Sequence, residues 1–547
     1  MDPYPQFAGN GALLIKHLLD RPLAWAPHQK IIYRDLHEFT YTEFFERVKR
    51  LGTVLQNLGV KPGDRVGVMD WDSHRYLELF FAVPMIGAVL HTINIRLSPE
   101  QILFTIHHAE DNVIFFHPDF LPLAEGFHDK CPSVQKWVAM PDHGPAPETS
   151  CPLAGEYEAL LNTATPLDQF PDFDENTVAT LFYTTGSTGD PKGVFFTHRQ
   201  LVLHTITSGF ALAAHPAPVS LNATDVYMPM TPMFHVHAWG VPYIATLLGI
   251  KQVYPGRYEP GTLLKLFVQH QVTLSHCVPT LLKMMVHAPA AAQIDFSRWK
   301  VITGGAKLPK ALAKEITDRG IHIAQGYGMS ETCPIIAISH FKPETANGTD
   351  EEKLGVLDRT GFPIPLVQAR AFDSDGNTLP PGRDNVGELV LRAPWLTPGY
   401  FKDPQRSESL WKHGWLHTGD LAYMDHDGYI RITDRLKDVI KTGGEWISSL
   451  ELEGSLAHHE AVEEVAVIGV PDAKWDERPL AFVKLRASHN GSTSERDLLH
   501  YLRDIADTGT IHKRSVLTKI VFTDKLPHTS VGKIDKKALR ALQHPVE

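Results

Sequence analysis

The sequence predicts an α/β protein with a large N-terminal domain of layered mixed sheets and helices and a small α+β C-terminal domain. Three observations carry that expectation. Short apolar runs alternate with helix-like stretches along most of the chain, the texture changes after about Asp434, and 547 residues exceed what one hydrophobic core usually organises.

The elements follow in chain order. Thr42, then Phe44, Val48, Leu51, Leu55 and Leu58 at helical spacing, predict a helix that stops at Gly59; the turn KPGD and the strand-like RVGVM come next. The same alternation returns in DNVIFF, in VTLSHC before TLLKMMVHA, and in KVITGG before LPKALAKEITDRG. Strands alternating with helices predict largely parallel sheets. Beyond Asp434 come a glycine turn (KTGGEW), a helix-like SSLELEGSLAHH, strands EEVAVIGV and LAFVKL, a further helix and a strand near KIVFTD. The domains are therefore expected at 1–434 and 435–547.

Composition excludes several classes. A formal charge of −11 works against general nucleic-acid binding, and four cysteines without CxxC spacing argue against a disulfide framework or zinc cluster and fit a reducing compartment. The first residues lack a basic stretch followed by an apolar core, and the run Leu79–Leu90 is too short to span a bilayer and contains Pro84. A cytoplasmic protein without an integral membrane segment is expected.

The stretch YTTGSTGDPKG, Tyr183 to Gly193, is what folding alone does not ask for. VATLFY before it reads as a strand and Thr197 as the cap of a following helix, so the segment is expected to be a strand-to-helix loop whose amides face an anion. Gly186 and Gly189 allow close backbone approach, Thr184, Thr185, Ser187 and Thr188 supply hydroxyls, and Lys192 supplies a flexible positive charge. A triphosphate suits this set. It is not a Walker A loop, and neither GxSxG nor HExxH occurs.

Together with QGYGMSE (Gln325–Glu331), TGD (Thr418–Asp420), DRLKDVIKTGGEW (Asp434–Trp446) and HTSVGKIDKKALR (His528–Arg540), this stretch resembles the adenylate-forming superfamily of acyl-CoA synthetases, luciferases and adenylation domains. Within it, the chain is similar to bacterial medium- or long-chain fatty acyl-CoA synthetases and methylmercaptopropionate-CoA ligases. The resemblance spans nearly the whole chain, with the motifs in the family's order and spacing.

The resemblance implies ATP, Mg and CoA acting on a small-molecule carboxylic acid, a mobile C-terminal domain and a homodimer. Joining a carboxylate to the α-phosphate brings anion to anion, so the site needs cations, a metal and fixed geometry. By resemblance, Thr184 and Glu331 hold the metal, and Ser330 touches the α-phosphate. Gly305, Gln325, Gly326 and Tyr327 line the adenine and acyl carbonyl, Asp420 and Arg435 reach the ribose, and Ile432 lies near the nucleotide. Lys437 is the hinge, Lys441 contacts phosphate or carboxylate in the adenylating state, and Lys533 bridges carboxylate and α-phosphate. Gly443 and Gly444 would wall a pantetheine tunnel once the small domain has swung.

In MPMFHVHAWGVPY, from Met230 to Tyr243, an aromatic lining suits a hydrocarbon chain; by resemblance Trp239 gates the acyl tunnel and Val236 lies near the acyl or nucleotide site. His235 and His237 lack an evident third metal ligand and read as ordinary histidines. The expected activity is an AMP-forming acid–CoA ligase for a medium- or long-chain fatty acid. Its alternatives are a methylmercaptopropionate ligase, an enzyme adenylating for a separate carrier protein, a luciferase-like oxidation, and a nucleotide-binding regulator without catalysis.

Overall fold

A computed structural model describes residues 11–184, 190–442, 445–472, 474–507, 517, 519–528 and 534–543. The helix expected from Thr42 runs over Tyr41–Asn57; it begins at a capping box in which the Thr40 hydroxyl accepts from the Glu43 amide and the Glu43 carboxylate accepts from the Thr40 amide. Its apolar side, including Phe44, Val48, Leu51 and Leu55, is buried. The segment around Pro84 belongs to helix His74–Met85, every residue of which is buried, as befits a helix apolar over most of its circumference. Among the described residues no helix is long and apolar enough to cross a membrane.

Four sheets organise the chain. One has seven strands in the order Leu153–Glu156, Lys136–Ala139, Asp111–Phe116, Arg65–Met69, Val89–Thr92, Val178–Thr184 and Lys192–Thr197, all parallel except the last pair. A nine-stranded sheet has a parallel centre built from Lys30–Tyr33, Lys251–Tyr254, Val226–Tyr227, Leu274–Cys277, Lys300–Thr303 and His322–Gly328, with antiparallel strands at both edges. The largest apolar core joins these two sheets across helices Tyr41–Asn57, His74–Met85 and Val241–Leu248.

The third sheet departs from the parallel expectation. Gln368–Phe372, Gly387–Arg392, Trp411–Lys412, Trp415–Met424 and Ile430–Arg435 pair antiparallel throughout. Lys412 to Trp415 and Met424 to Ile430 are short turns, which permit only antiparallel neighbours, whereas longer connections join the other strands.

The next strand, Ile440–Thr442, belongs to a different sheet with Glu445–Ile447, Val462–Asp472, Asp476–Leu485 and Lys519–Phe522. This small α+β unit has its own apolar clusters, one under helices Ser449–Ala457 and Glu495–Asp507 and one under Lys536–Gln543. Buried Asp434 ties it to the preceding sheet by accepting from the Ser449 amide at 2.5 Å and the Ser449 hydroxyl at 3.1 Å.

Candidate active site

The loop after Tyr183 is not the strand-to-helix connection expected from sequence. Val178–Thr184 and Lys192–Thr197 form an antiparallel hairpin whose last pair is Thr184 with Lys192, and the loop joins strand to strand. Thr197 does cap helix His198–Ala214, through a capping box with Gln200, but it does so opposite Val178 at the far end of the hairpin. The helix N-terminus therefore cannot serve an anion at the loop. The β-forming run KGVFF intervenes and extends before the helix signal takes effect. Thr185, Gly186, Ser187, Thr188 and Gly189 lie outside the described residues.

Pairing the two strands fixes where Lys192 points. Its ammonium sits 4.7 Å from the centre of the Tyr400 ring, and the Tyr400 hydroxyl donates to Glu331 Oε1 at 2.6 Å. The backbone holds this arrangement from both sides: the Phe401 amide donates to the Gly193 carbonyl at 2.8 Å and the Thr397 amide to the Glu331 carbonyl at 3.0 Å. Burial, then the Glu331 carboxylate, pushes the Tyr400 phenol above its ordinary range, so it remains a donor. Tyr400 was not singled out in the sequence. The cleft beside Lys192, about 170 Å³, also draws on His108, Lys402 and Arg406, with Asp190 and Asp403 among its walls.

Glu331 is only 8% exposed and sits in the short turn Ser330–Thr332, directly after strand His322–Gly328. That strand carries Gln325, Gly326 and Tyr327. The Tyr327 hydroxyl donates to Asp420 Oδ2 at 2.7 Å, while Arg435 Nε lies 3.3 Å from Asp420 Oδ1. Asp420 and Arg435 face each other as direct partners in the antiparallel sheet, and Ile432 pairs with Ala422 beside them. Partial desolvation works against charge on Arg435, whose side chain is half exposed, yet Asp420, followed by Tyr327, Asp438 and Glu331, raises the guanidinium above its ordinary value. The two chains of contacts, Lys192–Tyr400–Glu331 and Tyr327–Asp420–Arg435, thus meet on one strand and the turn that ends it.

Gln325 has a structural occupation. Its side-chain oxygen accepts from the Leu308 amide at 3.0 Å and its nitrogen donates to the Arg359 carbonyl at 3.2 Å, which closes the loop containing Gly305. Gly305 has φ +77°, a conformation that favours glycine.

Val236, Ala238 and Trp239 are buried, and the segment is unusual in its backbone. Val236, His237, Ala238 and Trp239 have φ of +48°, +55°, +48° and +59° before Gly240 at +74°. Such a left-handed turn of side-chain-bearing residues costs about 1–2 kcal/mol per residue and survives only where packing holds it. Trp239 supplies part of that packing: its ring stands 5.2 Å from His276, and a Cβ on Gly304 would lie 3.2 Å from it.

His237 is enclosed by Phe80, Phe182 and Tyr243, and neither ring nitrogen has a hydrogen-bond partner among the described residues. Burial pushes it down to about 3. Depression below the ordinary 6.5 means that only the unfolded chain takes up the proton near neutrality; the contribution to stability is complete above 6.5 and is lost as pH falls toward 3. Relative to His237→Phe, the wild type is expected to lose about 2 kcal/mol between pH 7 and pH 5. Urea unfolding at the two pH values measures this, and an unchanged gap contradicts it.

The Lys437 side chain is exposed, and its ammonium is held below the ordinary range, chiefly by desolvation from the surrounding protein. Arg540, on the last helix, donates to Asp438 at 2.7 Å and approaches the Lys437 carbonyl at 3.5 Å. The side chain of Lys441 is exposed and its amide donates to Glu477 within the small sheet, so the contacts shown for it belong to that sheet and not to Glu331 or Asp420. Gly443, Gly444 and Lys533 lie outside the described residues.

The AMP-binding enzyme family model matches residues 21–401, and that of the AMP-binding enzyme C-terminal domain matches 451–533. A long-chain-fatty-acid–CoA ligase of Thermus thermophilus is 39% identical over 99% of this chain and 97% of its own length. A 3-methylmercaptopropionyl-CoA ligase of Ruegeria lacuscaerulensis is 36% identical over 96% and 97%. A medium-chain-fatty-acid–CoA ligase of Ectopseudomonas oleovorans is 35% identical over 90% and 88%. Among solved structures, an anthranilate CoA ligase in complex with anthranoyl-AMP superposes with a TM-score of 0.83 at 24% identity, covering 97% of each chain. Because the first family match spans well over half of the 547 residues, the chain belongs to the AMP-binding enzyme family.

Proposed function

We propose that the protein is an AMP-forming acid–CoA ligase whose acid is a medium- or long-chain fatty acid. The observation that carries this reading is the meeting of Lys192, Tyr400 and Glu331 with Tyr327, Asp420 and Arg435 along strand His322–Gly328 and its closing turn. In the first step a carboxylate oxygen bonds to the α-phosphorus of ATP as the bond to pyrophosphate breaks. In the second, the CoA thiolate attacks the acyl carbonyl and AMP departs with the bonding electrons.

Lys192 offsets phosphate charge, and Asp420, oriented by Tyr327, accepts from the ribose hydroxyls. The Thr184 hydroxyl and the Glu331 carboxylate are hard oxygen donors of the kind Mg prefers. Among the described residues no group of three or more His, Cys, Asp or Glu could hold a metal alone, so phosphate oxygens would complete the shell. Bound there, Mg would neutralise charge on the phosphates. The reading gives Ser330, beside Glu331, the α-phosphate, and gives Gly305, Gly326 and Ile432 the adenine side.

The reading divides the chain at residue 434, with the hinge at Lys437 and the adenylating lysines Lys441 and Lys533 on the small domain. Gly443 and Gly444 face the CoA pantetheine after rotation, and Val236 and Trp239 bound the acyl chain. A cytoplasmic homodimer is its setting, which sedimentation of the purified protein checks.

Removal of the ribose acceptor in Asp420→Ala is expected to raise KM for ATP about 10–100-fold, through loss of charge-assisted hydrogen bonds. Steady-state AMP release over an ATP series measures it, and an unchanged KM would remove Asp420 from the nucleotide site. The substrate is tested by CoA-dependent AMP release over saturated acids from propionate to palmitate and 3-methylmercaptopropionate. The expected maximum lies at octanoate or longer; a maximum at the thioether acid would replace the fatty acid, and AMP release with none of them would reject the assignment.

A further inference from the structure

The TGD stretch stands out of its sheet. Strand Gly387–Arg392 pairs with Trp415–Met424 so that Glu388 faces Leu421 and Val390 faces His417, which leaves Leu389 alone opposite Thr418, Gly419 and Asp420. Surplus residues on one strand make a bulge, and bulges re-aim a side chain. The side chain re-aimed here is that of Asp420, whose other neighbour in the sheet remains Arg435. Gly419 turns the chain at φ +69°.

A bulge takes main-chain groups out of the ladder, and these need partners elsewhere. The Gly419 carbonyl accepts from the Leu436 amide at 2.8 Å. The Thr418 hydroxyl donates to the Leu389 carbonyl at 2.7 Å and accepts from the Asp420 amide at 3.1 Å. The Gly419 amide donates to Glu388 Oε1 at 3.0 Å, and of these ties it alone ends on a charged side chain of the facing strand. The other carboxylate oxygen is engaged as well: Glu388 Oε2 lies 2.8 Å from His417 Nδ1, which carries the hydrogen because a carboxylate only accepts. Held at both oxygens, Glu388 fixes the Gly419 peptide and, one residue on, the direction of Asp420.

We propose that Glu388 is a positioning residue for nucleotide recognition: through the Gly419 amide it aims Asp420 at the ribose, and so sets how sharply the enzyme separates ATP from ATP lacking a ribose hydroxyl. Glu388 itself touches neither ribose nor phosphate and acts only through the bulge. The proposal rests on the ribose role given to Asp420 above. An acceptor held in one direction rewards the hydroxyl that meets it and is left unpaired when that hydroxyl is missing, whereas an acceptor free to wander distinguishes the two poorly.

The test is calorimetric binding of ATP and of its 2′- and 3′-deoxy analogues, in magnesium buffer, to wild type, Glu388→Ala, Glu388→Gln and Glu388→Asp. The wild type is expected to bind ATP about tenfold more tightly than at least one deoxy analogue. In Glu388→Ala the affinity for ATP is expected to fall about tenfold and the ratio to drop to about two. Glu388→Gln, whose amide oxygen still accepts from Gly419, is expected to restore the ratio to within about twofold of wild type, and Glu388→Asp, one methylene shorter, to give an intermediate ratio. A ratio undiminished in Glu388→Ala, or a loss that Glu388→Gln leaves uncorrected, would overturn the proposal. Should the alanine variant not fold, a wild-type ratio in Glu388→Asp would do the same. A wild-type preference that survives without Glu388 overturns this proposal alone, whereas a wild type that binds ATP and both deoxy analogues equally overturns the ribose role of Asp420 as well.

Discussion

Lys533→Ala is expected to slow acyl-adenylate formation by about 10²–10³-fold while leaving CoA thiolysis of supplied acyl-AMP within about threefold of wild type. The asymmetry follows from the charges. Carboxylate and triphosphate repel each other only until the adenylate has formed, and a compact ammonium on a long stem is suited to spreading one positive charge over oxygens of both. Thiolysis meets no such encounter. On either side of the 529–533 segment, His528 and Ile534 bridge as strand partners, and Lys536 pairs with Glu453 at 2.7 Å. Arg540 anchors the following helix on Asp438, beside the proposed hinge. Single-turnover measurement of each half-reaction checks the prediction; equal losses in both would contradict the role assigned to Lys533.

Gly328→Ala is expected to cost about 3 kcal/mol of stability and to lower adenylation in the fraction that folds. A Cβ at this position would lie 1.7 Å from the Pro334 carbonyl oxygen, 2.6 Å from its carbon and 3.2 Å from the Thr332 hydroxyl. The closest atoms are the backbone carbonyl of Pro334, so no side-chain rotation relieves the clash. The strand end must move, and with it the turn that presents Glu331 to Tyr400. Urea denaturation gives the stability change, and a variant as stable as wild type would show that the approach of Gly328 to Pro334 is not required. Gly454, with nothing within 4 Å of a built Cβ, is the matched control and is expected to tolerate alanine.

How much of this was legible in the sequence depends on the range of the forces involved. Helix Tyr41–Asn57 and the strands beginning at Arg65, Asp111, Leu274 and Lys300 follow local apolar periodicity and capping, and these could be read directly. The antiparallel sheet from Gln368 to Arg435 could not, because its pairing is decided by turns and by partners distant in sequence. For the same reason the loop reading of Tyr183–Gly193 misses the return strand of the hairpin, Lys192–Thr197. At the site, acidic and cationic residues announced themselves through motifs. Tyr400 did not, since a tyrosine in a turn has no local signature and acquires meaning only when Lys192 and Glu331 are brought to its two ends. The left-handed run from Val236 is likewise invisible beforehand: valine, alanine and tryptophan do not favour it, and tertiary packing imposes it.

Acid-dependent exchange of labelled pyrophosphate into ATP, measured without CoA, tests the central claim most directly. With octanoate or a longer fatty acid the wild type is expected to exchange, Lys533→Ala to lose most of that exchange, and omission of the acid to abolish it. Exchange that is absent for every carboxylate supplied, or that proceeds equally well without any, would contradict a site that joins a carboxylate to AMP.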